Sequence, residues 1–276
     1  MKHPFGTDRD GRIICVLLIV TAALGLACLS LAVGYLFIHA PAAPADTPTT
    51  ESDTADGMWV DVAPSVDMTL PLTEDAGIAY QDSLTFVGDS LTAHLINRGV
   101  LTYGQATEQV WKAMNSGGAL NLNSEVTSAK VVVLPEGHQL TIAEAAGQEK
   151  PSILIVTLGT DWGVAYLTEE DFKAYYTALV EAIQTASPDT AVILQSIFPV
   201  TAECKILSND KINVANKWVK AVAADTGCPY LDTQSVLKDE NGCLKAEYCN
   251  AADGIHLTAE AYEVILAYIR THAYIK

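Results

Sequence analysis

A serine hydroxyl attacks an ester near neutral pH only when a base within hydrogen-bond reach takes its proton and an acid orients that base. Three residues of this chain have the required types. Ser90 lies in "FVGDSLT" (86–92), and Asp253 with His256 lies in "DGIHL" (253–257). A spacing of three lets one compact turn present an acid and an imidazole to the same partner. Each stretch alone is also ordinary turn chemistry: Gly88 is free in φ, and Asp89 or Ser90 can cap a helix. What decides between the two readings is whether the fold brings distant segments together.

From Ser83 onward short apolar runs alternate with amphipathic ones. "SLTFV", "ILIVTL" (153–158), "AVILQS" (191–196) and "PYLDT" read as strands, the first three as buried parallel strands. Between them "TEEDFKAYYTALVEAIQTA" opens with Thr168 and Asp171 in capping-box spacing. Phe172, Tyr175, Leu179 and Ile183 then share a helical face, and Ser187-Pro188 stops the helix. Residues 210–225 repeat the pattern with Ile212, Ala215, Val219 and Val222. Thr258 opens a last helix with Tyr262, Ile265, Leu266 and Ile269 on one face. This alternation predicts a doubly wound α/β domain with a parallel sheet. Active groups in such sheets gather at the carboxyl ends of strands, so Ser90, Asp161 after "ILIVTLG" and the "DGIH" loop are expected at one edge.

The chain has 276 residues, of which 50% are hydrophobic, and a formal net charge of −17. Such acidity repels phosphate backbones and argues against a nucleic-acid partner. Residues 13–38 contain no charged side chain and are long enough to cross a bilayer. Lys2, Arg9 and Arg12 precede them, and no Lys or Arg follows until Arg98. The expectation is a cytoplasmic segment 1–12, an uncleaved transmembrane signal anchor 13–38 and, by the positive-inside rule, an extracytoplasmic remainder at the cell membrane; a signal peptide cleaved near "HAPAA" and a lipoprotein using Cys28 in "LGLAC" are the alternatives. Residues 39–77, rich in Pro, Thr, Ala and Asp, read as a linker, whose later part is able to pack on the domain as an irregular arm. The domain itself spans 78–276. Of six cysteines, Cys15 and Cys28 fall in the apolar block. Cys204, Cys228, Cys243 and Cys249 allow three pairings or free thiols, and no CxxC or HxxxH spacing suggests zinc.

"FVGDSLT" near the start of an α/β domain and "DGIHLT" before its last helix resemble the first and last motif blocks of the SGNH/GDSL hydrolases. The similarity covers about residues 80 to 276. "SPDTAVILQSIFPV" and "YIRTHAYIK" are similar to the membrane-anchored bacterial branch of that family. The resemblance implies a flavodoxin-like three-layer α/β/α sandwich and ester hydrolysis without metal or organic cofactor. By position, Ser90 would be the nucleophile, His256 the general base and then acid, and Asp253 its orienting partner. The family's oxyanion hole implies the Ser90 N–H, a glycine N–H from "NSGGAL", with Gly118 ahead of Gly117, and a third-block side chain. Asp89, Trp162 and Gly117 would then contact substrate.

The third block departs from the family pattern. Gly-x-Asn is replaced by "LGTDWG", which puts Asp161 where the asparagine would stand. An amide donates hydrogen bonds, whereas an ionised carboxylate only accepts them. A protonated Asp161, the Trp162 indole or loop backbone could supply the missing donor. The expected function is an extracytoplasmic serine esterase that removes small acyl groups, acetyl foremost, from cell-surface or environmental glycans. An O-acyltransferase using the same three side chains and a catalytically weak glycan-binding domain are the alternatives. Among other residues, His94, one turn past Ser90, is within reach of the cleft but reads rather as part of an exposed helix face, and His138 reads as a loop residue. Trp111, Trp162 and Tyr166 read as core aromatics or as sugar-stacking surfaces.

Overall fold

The structure, a computed structural model, describes residues 66–114, 118–160, 162–250 and 252–275. The sequence-predicted anchor at 13–38 lies outside the described residues, as does the linker up to residue 65. No helix among the described residues is long and apolar enough to cross a membrane.

Seven strands form one sheet: β1 (Leu84–Gly88), β2 (Val110–Ala113), β3 (Lys130–Val133), β4 (His138–Thr141), β5 (Ile153–Thr157), β6 (Ala191–Gln195) and β7 (Tyr230–Leu231). Their order is β4-β3-β2-β1-β5-β6-β7. The five strands from β2 to β7 in that order are parallel, while β3 and β4 extend the edge antiparallel. The sheet is therefore mostly parallel, a correction to the wholly parallel one expected. The short connection between β3 and β4 makes β4 antiparallel to β3, while β3 pairs antiparallel with β2 across a longer connection. His138, expected in a loop, begins β4 and pairs with Val133.

Among the described residues eight α-helices accompany the strands: α1 (Gly77–Asp82), α2 (Ser90–Arg98), α3 (Ile142–Glu149), α4 (Gly163–Tyr166), α5 (Glu169–Ala186), α6 (Asn209–Thr226), α7 (Gln234–Leu237) and α8 (Ala259–Thr271). The chain leaves β1 through α2 toward β2 on one side, and later winds from β5 through α5 and α6 on the other. Helix α2 packs on β1 and β2, whereas α5 and α6 pack on β6. Helices α3, α5 and α6 pack side by side, as do α1 and α8.

The interior explains these elements. Every residue of β5 is buried, as the continuous run "ILIVT" requires of a central strand. Thr168 caps α5 by accepting from the Asp171 N–H. Along α5 the buried residues are Phe172, Tyr176, Leu179, Val180 and Ile183. Tyr176 replaces the expected Tyr175 on the inner face, and its hydroxyl donates to the Val156 carbonyl at 3.2 Å. Both tyrosines fit the helical period, and the acceptor on β5 selects one. Residues preceding α1 run beside the domain: the Leu70 N–H donates to the Tyr230 carbonyl at 2.8 Å, and Asp75 pairs with Arg270 of α8 at 3.1 Å.

Candidate active site

Ser90 stands where the winding of the sheet reverses. β1 has β2 on one side and β5 on the other, so the loop after β1 opens at the topological switch point. Gly88 ends β1 beside Thr157. A Cβ at Gly88 would run into the Thr157 carbonyl oxygen and the Thr92 hydroxyl, so strand and helix approach this closely only through glycine. Asp89 follows in extended conformation as the N-cap of α2, its carboxylate accepting from the Leu91 N–H at 3.1 Å. Ser90 is then the first helical residue and half-buried. Its N–H belongs to the first turn, whose donors have no acceptor within the helix.

Asp89 is 0% exposed. Its second carboxylate oxygen accepts from the Thr160 N–H at 3.1 Å, and its own N–H donates to the Thr157 carbonyl at 3.1 Å. This corrects the expectation of a substrate contact. Asp89 fastens the Ser90 turn to the loop after β5, and its negative charge lies at a helix N-terminus, where the dipole favours it.

Asp253 and His256 occupy the turn that precedes α8. Gly254 adopts φ +76, and its carbonyl accepts from the Thr201 N–H at 2.9 Å. A Cβ there would meet the Thr201 hydroxyl at 2.5 Å, so this glycine allows the turn to lie against the loop after β6. One oxygen of Asp253 accepts from the N–H groups of Ile255 (2.8 Å) and His256 (3.2 Å). The other lies 2.6 Å from His256 Nδ1. Burial pushes the Asp253 carboxyl up, but the hydrogen bonds from Ile255 N–H, the imidazole and His256 N–H, with the imidazole charge, hold it below the usual carboxylate value. An ionised carboxylate accepts only, so Nδ1 carries the proton and Nε2 of a neutral ring is left as the base. The pair is partly open to solvent, with side chains 28% and 30% exposed.

Two contacts tie this turn to α2. The buried Tyr262 hydroxyl, on the first turn of α8, donates to the Leu91 carbonyl at 2.6 Å. The His256 ring packs on His94, with centroids 4.7 Å apart and planes inclined by 31°. His94 lies four residues after Ser90 on the same helix, so the two side chains share one face. The expected exposed helix face for His94 is thereby corrected: α8 and the turn before it cover that face. The i, i+4 spacing from Ser90 was the available signal, but no sequence pattern says which element covers a helix face.

The segment around Gly118 lies against the same helix turn. Leu120 N–H donates to the Gly88 carbonyl at 3.2 Å, and Gly118, at φ +66, has Ala93 and Lys112 so close that a Cβ would meet Ala93 Cβ at 3.3 Å. Gly117 and Asp161 lie outside the described residues. Beside Asp161, Thr160 is buried, and Trp162 adopts φ 73, a region that bulky residues enter at a cost of about 1–3 kcal/mol. Trp162 is 49% exposed and lies 4.7 Å from the ring of Tyr166, itself exposed. Trp111 is buried in β2 and belongs to the core. A polar cavity of about 310 Å³ is lined in part by Ala119, Asn121, Asn123, Glu125, Ser128 and Lys130, and none of Ser90, Asp253 and His256 lines it. The Cys204–Cys228 pairing is not made; Cys228 is buried at the end of α6, and burial pushes its thiol up.

Residues 86–264 match the family model of the GDSL-like lipase/acylhydrolase family. No curated protein matches the chain. Among solved structures, the chain is similar to a GDSL-like lipase from Bacteroides thetaiotaomicron at 18% identity, covering 69% of this chain and 87% of that one, with a TM-score of 0.48. It is also similar to an acetylxylan esterase from Geobacillus stearothermophilus at 15% identity, covering 70% and 94%, with a TM-score of 0.42. A carbohydrate esterase family 3 protein from Talaromyces cellulolyticus is 16% identical, with 68% and 93% covered and a TM-score of 0.44. The match runs from the strand before Ser90 into the helix after His256, well over half of the chain, and the chain belongs to the GDSL-like lipase/acylhydrolase family as an ester hydrolase.

Proposed function

We propose that the chain is a serine esterase that removes small acyl groups, acetyl foremost, from glycans outside the cytoplasm. The observation that carries this reading is the 2.6 Å contact between His256 Nδ1 and Asp253, on a ring packed against His94 one turn from Ser90. In this reading Ser90 Oγ attacks the ester carbonyl while His256 Nε2 takes its proton. Asp253 keeps the proton on Nδ1 and stabilises the imidazolium that forms. The N–H groups of Ser90 and Gly118 receive the developing oxyanion, the former aided by the N-terminus of α2. His256 then protonates the leaving alcohol, the alcohol departs, and the acyl-enzyme remains. Water, deprotonated by the same imidazole, attacks that acyl group and releases the acid and Ser90.

The polar cavity lined by Asn121, Asn123, Glu125, Ser128 and Lys130 is suited to a hydroxyl-rich alcohol portion, since its amide, carboxylate, hydroxyl and ammonium groups can hydrogen-bond to sugar hydroxyls. The exposed Trp162–Tyr166 pair offers a flat apolar surface suited to a sugar ring. The location outside the cytoplasm rests on the charge asymmetry that flanks residues 13–38. The test is turnover of a short-chain nitrophenyl ester by the full-length protein, wild type against Ser90→Ala, with fluorophosphonate labelling. The expected result is loss of both turnover and labelling in Ser90→Ala; equal rates would overturn the reading.

A further inference from the structure

We infer that His94 is a positioning residue that holds the His256 imidazole in its reactive plane. The inference rests on the proposed role of His256 as the base toward Ser90. The His256 ring, held by Asp253 at Nδ1, can still rock about its Cα–Cβ and Cβ–Cγ bonds, and each such motion moves Nε2 relative to a fixed hydroxyl. The contact that removes this freedom is the ring of His94, 4.7 Å away centre to centre and inclined by 31°. His94 is well placed for the task. It sits in the middle of α2, between the buried residues Ala93 and Leu95, and so moves with the backbone that carries Ser90. One rigid helix thereby sets both the place of the nucleophile and the plane of its base. The Tyr262–Leu91 hydrogen bond fixes the distance between the two elements, and the contact of the two tilted rings limits the orientation.

The energetic logic is that of orientation. Misplacing a reacting group by about 1 Å costs on the order of a hundredfold in rate, while ground-state binding of a small ester does not depend on that group. His94 therefore acts on kcat and leaves KM alone, and what it supplies is a flat ring.

The experiment compares full-length wild type with His94→Ala, His94→Phe and Ser90→Ala, reading kcat and KM on a short-chain nitrophenyl ester. It also reads the rate of fluorophosphonate labelling and the downfield proton resonance of His256 Nδ1. His94→Ala is expected to lower kcat by about tenfold to a hundredfold with KM within about twofold of wild type. Labelling should slow by the same factor, and the Nδ1 proton signal should broaden as the ring gains freedom. His94→Phe, which restores a planar ring of similar size, should recover most of the rate and the signal. A wild-type kcat in His94→Ala, or a His94→Phe variant as slow as the alanine variant, would overturn the inference. Retained turnover in Ser90→Ala overturns the reading of the site itself, and so separates the two failures.

Discussion

The Tyr262 hydroxyl donates to the Leu91 carbonyl at 2.6 Å across 171 residues of sequence. Leu91 is the neighbour of Ser90, and Tyr262 sits on the first turn of the helix that His256 precedes. This bond therefore sets the separation of the two ends of the candidate site. Tyr262 is fully enclosed, and its phenol is pushed far upward by burial and by the Asp89 charge, so it acts as a donor at every working pH. Tyr262→Phe keeps the packing and deletes only the donor. The expected outcome is a stability loss of about 1 kcal/mol in chemical unfolding. The accompanying drop in kcat should be about tenfold, because the imidazole loses its fixed distance from Ser90. A variant with unchanged kcat would show that α8 is held by its apolar face alone.

Asp89 offers a sharper separation of roles. Its carboxylate takes the N–H groups of Leu91 and Thr160 and is wholly enclosed. Asp89→Ala removes a helix cap and leaves two buried donors unanswered, an expected loss of about 2–4 kcal/mol. Asp89→Asn, which keeps one accepting oxygen, should fall between the two. In both variants KM on a small ester should stay at the wild-type value in the fraction that remains folded. A raised KM with unchanged stability would return Asp89 to the substrate.

Much of this was legible in the sequence, for stated physical reasons. The strand and helix pattern from β5 to α6 follows from runs such as "ILIVT" and from the Thr168 cap, which are local signals. Ser90 and the Asp253–His256 pair are each carried by a few contiguous residues, so their chemistry shows without a fold. What was not legible depends on distant partners. The burial of Asp89 depends on Thr160, which is 71 positions away. His94 takes its meaning from the His256 ring, and the choice of Tyr176 over Tyr175 depends on a carbonyl of β5. The antiparallel edge of β3 and β4 depends on pairing that "KVVV" and "HQLT" do not specify alone.

The resemblance puts Asp161 at the position where the family pattern has an amide in the third block. An ionised carboxylate near a developing oxyanion opposes its charge and donates nothing. Removal of one oxyanion donor typically costs about 10²–10³ in rate, so restoring one should recover part of that factor. Asp161→Asn is expected to raise kcat on a nitrophenyl ester by roughly tenfold, with little change in KM. A fall in kcat would instead assign the carboxyl an active part, as a protonated donor.

The Asp253 carboxyl titrates below its ordinary value in the folded chain, and the sign of its effect follows from that. The unfolded chain takes up the proton first as pH falls. Asp253 thus contributes stability that is fully present above the ordinary aspartate value, about 4, and disappears as pH drops through the lower folded value. With about 30% of the side chain exposed, solvent screens the contribution, so the stability effect is small and catalysis is the better readout. The ionised carboxylate is the acceptor that keeps the His256 proton on Nδ1, which Asp253→Asn removes at neutral pH. The variant also favours the wrong tautomer. Its expected kcat is lower by roughly 10²–10⁴, and the part of the acid unfolding limb due to this carboxyl should vanish. Thermal melts from pH 3 to neutrality, run beside initial rates, check both; an asparagine variant with a wild-type rate would remove Asp253 from the proton relay.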